Sequence, residues 1–146
     1  MVKILTFGVF DYFHLGHLRL FKQCKMYGDY LIVAVQNGCY IKKYKPESRI
    51  LYSTDERVEV LESIREVDEV YVYDECSVTT LQSIDFDILA LGEDHIGKRF
   101  DLMINWCVEN QKDVIRLKRT EGISSRLLKG SDSEVCENGE MKSYDR

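Results

Sequence analysis

Two histidines in the segment GVFDYFHLGH, at residues 8–17, have a spacing suited to phosphoryl chemistry. His14 and His17 are three positions apart, so they share one face if a helix has begun there. Gly16 between them allows a ligand to approach the backbone closely. The segment joins an apolar β-rich run to a helical pattern, and a helix N-terminus adds free N–H groups and partial positive charge. Together these features indicate a site for a phosphoryl group that gains charge in its transition state.

Two other interpretations of the histidine pair are open. They could be ordinary surface or core histidines, or they could ligate a metal ion. The metal interpretation is less favoured because no third ligand follows at a typical spacing and the glutamate of H-E-x-x-H is absent. Five cysteines lie at wide, irregular spacings without any C-x-x-C pair, which argues against a zinc site and a disulfide framework and indicates reduced thiols.

A second segment with chemical potential is RTEGISS at residues 119–125. Arg119 offers a planar fork for phosphate oxygens, and Gly122 suits a turn. Ser124 or Ser125 could cap the following helix and donate to a phosphate. Taken alone, such a segment is usually just a capped helix start.

Five apolar, β-rich runs alternate with helical patterns along the chain. The alternation predicts right-handed βαβ crossovers and a single α/β domain, with a Rossmann-like, doubly wound sheet of five parallel strands. Ligands of such sheets bind beyond the carboxyl ends of the strands, where the strand order reverses. A capping box at Ser53–Glu56 predicts the start of one helix. The predicted strands are residues 3–7, 30–35, 69–73, 87–91 and 113–117.

One long connection, residues 36–52, is predicted to be a functional or mobile loop. It contains four basic residues and the only proline of the chain, Pro46.

Length and charge limit the classes of function. The 146 residues contain 45% hydrophobic and 31% charged residues, the balance of a folded single domain. Residues 131–146 hold five acidic and two basic residues, a net charge of −3 out of −5 for the whole chain, and are predicted to be a disordered acidic tail.

The nearly neutral remainder of the chain gives no general electrostatic case for binding nucleic acid or membranes. No signal peptide or membrane-spanning run is seen, so a cytoplasmic protein is expected.

The two segments together resemble the cytidylyltransferases of the HxGH nucleotidyltransferase superfamily. The first matches the pattern G-x-F-D-x-x-H-x-G-H, and RTEGISS resembles the second signature of these enzymes. The resemblance covers residues 1–130, which we expect to form the nucleotidyltransferase domain, and is closest to the compact bacterial glycerol-3-phosphate cytidylyltransferases. Val9, His95 and a loop longer by about two residues depart from the pattern of that group and bear on substrate identity.

This resemblance implies transfer of CMP from CTP to a small phosphorylated acceptor, with glycerol 3-phosphate favoured. Phosphocholine, phosphoethanolamine, another polyol phosphate or a phosphonate are alternative acceptors. ATP-dependent adenylyl transfer is a second enzymatic alternative, and a non-catalytic CTP-binding module is an alternative of another class. Mg²⁺ is expected to arrive with CTP, without a protein ligand that we can name. A homodimer is expected, with neither nucleic acid nor membrane as a partner.

The resemblance also implies roles for individual residues. Arg57 is predicted to contact the acceptor, because it lies early in a helix where the macrodipole opposes a positive charge. Asp11 is also predicted to contact the acceptor, with support of the loop, the more usual role of this aspartate, as the alternative. The predicted catalytic residues are His14, His17, Lys43, Lys45 and Arg119. The predicted nucleotide-binding residues are Gly8, Val9, Phe10, Gly16, Gly92, Asp94, Arg119, Thr120, Gly122, Ile123 and Ser124.

Overall fold

A computed structural model describes residues 1–118, which fold around a five-stranded parallel sheet. The order of the strands is β3-β2-β1-β4-β5, so the predicted doubly wound, Rossmann-like α/β fold is confirmed. Each observed strand agrees with a predicted one to within a residue at either end. The strands are β1 (Lys3–Gly8), β2 (Tyr30–Gln36), β3 (Glu69–Tyr73), β4 (Ile88–Gly92) and β5 (Asp113–Leu117).

Strand β1 lies at the point where the strand order reverses. It pairs with β2 on one side, where Gly8 is in register with Val35, and with β4 on the other, where Thr6 is in register with Ala90. The strands that follow β1 in the chain are therefore added first on one side of it, as β2 and β3, and then on the other side, as β4 and β5. The carboxyl ends of β1 and β4 border the crevice in which open α/β sheets bind their ligands.

Five helices connect the strands within the described part of the chain. The capping box predicted at α3 is confirmed, because the Ser53 hydroxyl accepts the Glu56 N–H at 3.1 Å and the Glu56 carboxylate accepts the Ser53 N–H at 3.0 Å. The prediction that residues 36–52 form a loop is only partly right, because their first half is helix α2, capped by Asn37. Helix α4 was not predicted. The helices are α1 (Leu15–Lys25), α2 (Gly38–Tyr44), α3 (Thr54–Glu62), α4 (Val78–Gln82) and α5 (Lys98–Glu109).

Apolar side chains cover both faces of the sheet, as a doubly wound sheet requires. On one face, Phe21 of α1 and Leu61 of α3 pack in the same buried cluster as Val33. On the other face, Leu81 of α4 and Met103 of α5 belong to a second buried cluster. The two layers of helices hold the strands rigidly, so the loops at their carboxyl ends have fixed starting points.

The cysteines of residues 1–118, which are Cys24, Cys39, Cys76 and Cys107, form no disulfide with one another. Burial raises the pKa of Cys24 to about 12 and that of Cys76 to about 11, so both remain protonated. No helix in residues 1–118 is both long enough and apolar enough to cross a membrane.

Candidate active site

A cavity of about 800 Å³ opens at the carboxyl ends of the strands. Its volume falls within the range of roughly 300–1,000 Å³ that is usual for small-molecule sites. The cavity brings together most of the predicted residues that fall within the described part of the chain. Those that line it are Gly8, Val9, Phe10, Asp11, His14, Gly16, His17, Lys45, Gly92 and Asp94.

The two histidines are held by the backbone at the start of α1. His14 is the N-cap residue, and its Nδ1 accepts the Gly16 N–H at 3.0 Å. The Nδ1 of His17 accepts the His14 N–H at 3.3 Å, and the two imidazole rings stack with centroids 3.9 Å apart. Because both Nδ1 atoms act as acceptors, each neutral imidazole carries its proton on Nε2. Capping the helix thus fixes which nitrogen of each ring can donate to a ligand.

Aromatic packing fixes the position of His17. The Phe10 ring meets the His17 ring edge-to-face at 5.1 Å, and Phe13 lies 5.5 Å from it. Phe10 adopts a left-handed backbone conformation with a φ of 53°, which brings its ring over Gly8. A Cβ at Gly8 would lie 2.7 Å from Phe10 Cζ, so glycine is required there for this packing.

Asp11 connects the histidine segment to the connection that follows α2. Its two carboxylate oxygens accept the N–H groups of Leu51 and Tyr52 at 2.8 and 2.9 Å, and the residue is only 3% exposed. These contacts anchor residues 51–52 beside the cavity. They give Asp11 a role in positioning the loop, and they offer no support for the prediction that it binds the acceptor.

Arg57 makes a second connection between separate segments. Its guanidinium donates to the carbonyls of Val9 at 2.9 Å and Gln36 at 2.7 Å, and its Nε donates to the carbonyl of Tyr52 at 3.3 Å. Burial lowers the pKa of Arg57, an effect that the charge of Asp11 opposes. Arg57 is 1% exposed and does not line the cavity. The geometry therefore supports a structural role, and the contact of Arg57 with the acceptor stays a prediction.

The turn after β4 forms another wall of the cavity. His95 accepts the Gly92 N–H on Nδ1 at 3.1 Å, and its ring stacks on Phe100 at 5.0 Å. Arg116 donates to the carbonyls of Gly92 and His95, which closes the turn from the side of β5. Burial lowers the pKa of His95 below the usual value near 6.5; Asp94 opposes this shift and Arg116 adds to it.

The two predicted loop lysines differ in position. Lys45 is the C-cap residue of α2 and lines the cavity. Lys43 lies within α2, where its Nζ is 6.0 Å from the centre of the Tyr44 ring, and it is not among the residues lining the cavity. The short helix, which the sequence pattern did not indicate, is the reason that the two side chains separate.

Part of the predicted site lies outside the described residues. This part is the second signature, with its predicted ligands Arg119, Thr120, Gly122, Ile123 and Ser124. The predicted acidic tail at residues 131–146 also lies outside the described residues.

Several lining residues were not predicted from the sequence. Arg99 had a usable signal, since it lies in the first turn of α5, where the macrodipole opposes its charge, as was argued for Arg57. The others reach the cavity through turns that sequence spacing does not reveal. Unpredicted lining residues include Tyr40, Tyr44, Ser48, Arg49, Glu75, Glu93, His95, Arg99 and Lys118.

Paired imidazoles at a helix start, at the switch point of a doubly wound sheet, define the class of protein. Nε2 donors and basic side chains around one cavity suit a phosphoryl group. The site is that of a nucleotidyltransferase.

Comparison with known proteins identifies the family. The chain belongs to the cytidylyltransferase-like family, whose sequence model matches residues 5–130. It is 35% identical over 131 residues to the glycerol-3-phosphate cytidylyltransferase of Bacillus subtilis strain 168, covering 88% of this chain and 95% of that protein. It is also 38% identical over 142 residues to the FAD synthase of Thermococcus sibiricus, covering 96% and 89% of the two chains.

A solved structure shares the fold at lower sequence identity. The lipopolysaccharide core biosynthesis protein of Thermoplasma volcanium superposes with a TM-score of 0.71 at 22% identity, covering 83% of this chain and 99% of that one. The likeness supports the arrangement of the sheet and helices described above.

Proposed function

We propose that the protein transfers CMP from CTP to sn-glycerol 3-phosphate, releasing pyrophosphate and forming CDP-glycerol. A phosphate oxygen of the acceptor attacks the α-phosphorus of CTP, and the bond from that phosphorus to the bridging oxygen of the β-phosphate breaks. The observation that carries the proposal is the pair of histidines whose Nδ1 atoms are held by the helix start. The choice of acceptor rests on similarity to named glycerol-3-phosphate cytidylyltransferases over nearly their whole length.

In this reaction the protein acts by positioning and by stabilising charge. His14 and His17 donate from Nε2 to the α-phosphoryl oxygens as negative charge increases. Lys45, Arg119 and Ser124 bind the triphosphate, and Lys43 joins them once its side chain turns from Tyr44 into the cavity. Attack requires no covalent enzyme intermediate. The nucleotide pocket is formed by Gly8, Val9, Phe10, Gly16, Gly92, Asp94, Thr120, Gly122 and Ile123.

Mg²⁺ is proposed to accompany CTP. This ion usually keeps several waters and binds nucleotides through phosphate oxygens, so it needs no preformed cage of protein ligands. It would neutralise part of the triphosphate charge. Chelation of Mg²⁺ should abolish turnover without unfolding the protein, as followed by pyrophosphate release and circular dichroism.

A homodimer is proposed for the assembled enzyme. Strand β3 is at one edge of the sheet and presents Val72, which is 44% exposed, while Val60 on neighbouring α3 is 41% exposed. The edge strand has unpaired N–H and C=O groups along its free side, so it is the first place to look for a partner. Light scattering should give twice the chain mass, and Val72→Lys should reduce it to one chain if this edge is the interface.

The relation to an FAD synthase makes ATP the nucleotide to compare with CTP, because FAD contains an adenylyl unit. A non-catalytic CTP-binding module remains the alternative outside the enzymes. It would bind CTP without consuming it.

The test is pyrophosphate release from CTP or ATP with Mg²⁺, with and without sn-glycerol 3-phosphate. We expect release that depends on both CTP and the acceptor. Release with phosphocholine or phosphoethanolamine instead would keep the reaction and change the acceptor, and release with ATP alone would change the nucleotide. Binding of CTP without release under any of these conditions would favour the binding module.

A further inference from the structure

The cavity has a second group of polar side chains, away from the histidines. Tyr40 of α2, Glu75 after β3 and Arg99 of α5 line it together with the buried side chains of Tyr73 and Cys76. Nothing in the proposed chemistry of the phosphates uses these residues.

The two ends of the cavity lie on opposite faces of the sheet. Phe10, which packs on His17, belongs to the buried cluster that contains Phe21 of α1. Tyr73 and Cys76 belong to the other cluster, which contains Met103 of α5. The path within the cavity from the histidines to Glu75 and Arg99 therefore crosses the carboxyl ends of the strands.

Glu75 and Arg99 carry opposite charges that do not neutralise each other. The ion pairs within 4.0 Å in residues 1–118 are Lys3–Asp85 and Lys25–Asp68, and neither involves this group. Both side chains are exposed. Both line the same cavity as Tyr40, and both are near enough to act on it, since the charge of Glu75 raises the pKa of this phenol and the charge of Arg99 lowers it. A hydrogen bond with Tyr44 is the main cause of a pKa near 12, so Tyr40 stays a neutral hydroxyl.

A carboxylate, a guanidinium and a phenol around one space are suited to hydroxyl groups. A hydroxyl can donate to Glu75 and accept from Arg99 at once, because it has both functions. A primary or quaternary ammonium can satisfy Glu75 only, and the charge of Arg99 disfavours it. These three side chains therefore favour an acceptor that ends in hydroxyl groups over one that ends in an ammonium group.

We propose that Tyr40, Glu75 and Arg99 form the subsite that binds the hydroxyl end of the acceptor and selects polyol phosphates over amino-alcohol phosphates. This inference rests on the proposed function, since it assigns the end of the acceptor that does not react. Arg99 is then a specificity-determining residue and not a ligand of the reacting phosphate.

The test compares glycerol 3-phosphate with propyl phosphate, which has the same phosphate and no free hydroxyls. Loss of a hydrogen bond to a charged group costs about 1.5–3 kcal/mol, so Arg99→Ala should lower kcat/KM for glycerol 3-phosphate by about 10–100-fold. It should leave kcat/KM for propyl phosphate and KM for CTP within about twofold. Glu75→Gln should show the same pattern, and Arg99→Ala should raise kcat/KM for phosphoethanolamine.

Lys98→Ala is the matched control, because Lys98 is the adjacent base on α5, is exposed and does not line the cavity. It should leave all these constants unchanged. Equal losses with glycerol 3-phosphate and propyl phosphate would show that Arg99 binds the phosphate, and no loss in either variant would show that the subsite is elsewhere; each result overturns the inference. A wild-type enzyme inert with glycerol 3-phosphate but active with another acceptor would instead overturn the proposed function.

Discussion

His17 uses its two ring nitrogens for different purposes, and substitution can separate them. Asparagine places an amide oxygen near the position of Nδ1, so His17→Asn keeps an acceptor for the His14 N–H and loses Nε2. We expect kcat to fall by about 10²–10³-fold, the usual effect of removing one transition-state donor. The free energy of unfolding, measured in urea, should change by less than about 1 kcal/mol.

His17→Gln is the complementary variant. Its longer side chain places an amide nitrogen closer to the position of Nε2, so part of the lost kcat should return, with a larger loss of stability. Equal activity in His17→Asn and the wild type would exclude the proposed role of Nε2.

His95 should make the stability of the fold depend on pH. Burial lowers its pKa in the folded protein below about 6.5, the value that it regains on unfolding. Below pH 6.5 the unfolded chain therefore takes up a proton that the folded chain resists, so stability falls as the pH decreases through this range. Protonation would also remove the acceptor of the Gly92 N–H. Above pH 6.5 the residue should contribute nothing to the pH dependence.

His95→Asn provides the comparison, since its amide oxygen can still accept the Gly92 N–H and does not titrate. The difference in free energy of unfolding between the wild type and this variant should shrink between pH 7.5 and pH 5.5. Other titrating groups are common to both proteins and cancel in the difference. Two parallel curves would show that His95 does not sense pH.

The sequence predicts single residues well where local spacing carries the signal. The three-residue interval between His14 and His17 was enough to place them on one helix start. Asp11 and Arg57 behave differently, because each has a partner 40 or more positions away, Leu51 for Asp11 and Val9 for Arg57. Only the folded chain brings such partners together, so the structural roles of both residues could not be read from spacing.

At the scale of elements, the connection between β2 and α3 was the hardest to predict. Helix α2 buries only Ile41, so it lacks the repeated apolar positions by which a helix is recognised. Helix α4 has five residues, too few for a period to be seen. The start of the longer helix α3 could be predicted from the capping box at Ser53 and Glu56, because the hydrogen bonds of this motif are local and do not depend on the rest of the fold.

We expect the main effect of substituting Arg57 to be a loss of stability of the fold. Arg57→Met keeps much of the buried volume but leaves the carbonyls of Val9 and Gln36 without their donor. Unpaired buried acceptors cost about 1–3 kcal/mol each, and we expect the free energy of unfolding in urea to fall by about 2–4 kcal/mol.

Arg65→Met is a control for the loss of an exposed arginine, and its effect on stability should be within about 0.5 kcal/mol. The structural role of Arg57 would be contradicted by an Arg57→Met protein of wild-type stability. If that protein also showed a raised KM for the acceptor, the prediction of acceptor binding would be supported.

At the scale of the whole molecule, alternation of strands and helices was sufficient to predict the parallel sheet and the edge that carries the site. Right-handed crossovers leave few ways to order five strands, and β1 beside β4 then sets the switch point. The shape of the cavity could not be predicted from this alternation. Its walls come from turns after β3 and β4, whose side-chain directions depend on packing against α5 and are not encoded in a repeating pattern.

Two truncated chains test the acidic extension, which is the acidic tail at residues 131–146, and the second signature separately. The family match ends at residue 130, and residues 131–146 add a net charge of −3. A chain of residues 1–130 should keep kcat within about twofold, and its KM for the anionic substrates should fall slightly at low salt, where removal of negative charge is least screened. A chain of residues 1–118 also lacks Arg119 and Ser124, so it should lose turnover and bind CTP more weakly.

Circular dichroism must show both chains folded. A large loss of activity in the 1–130 chain would mean that the acidic extension takes part in catalysis or assembly, and retained turnover in the 1–118 chain would remove the second signature from the mechanism.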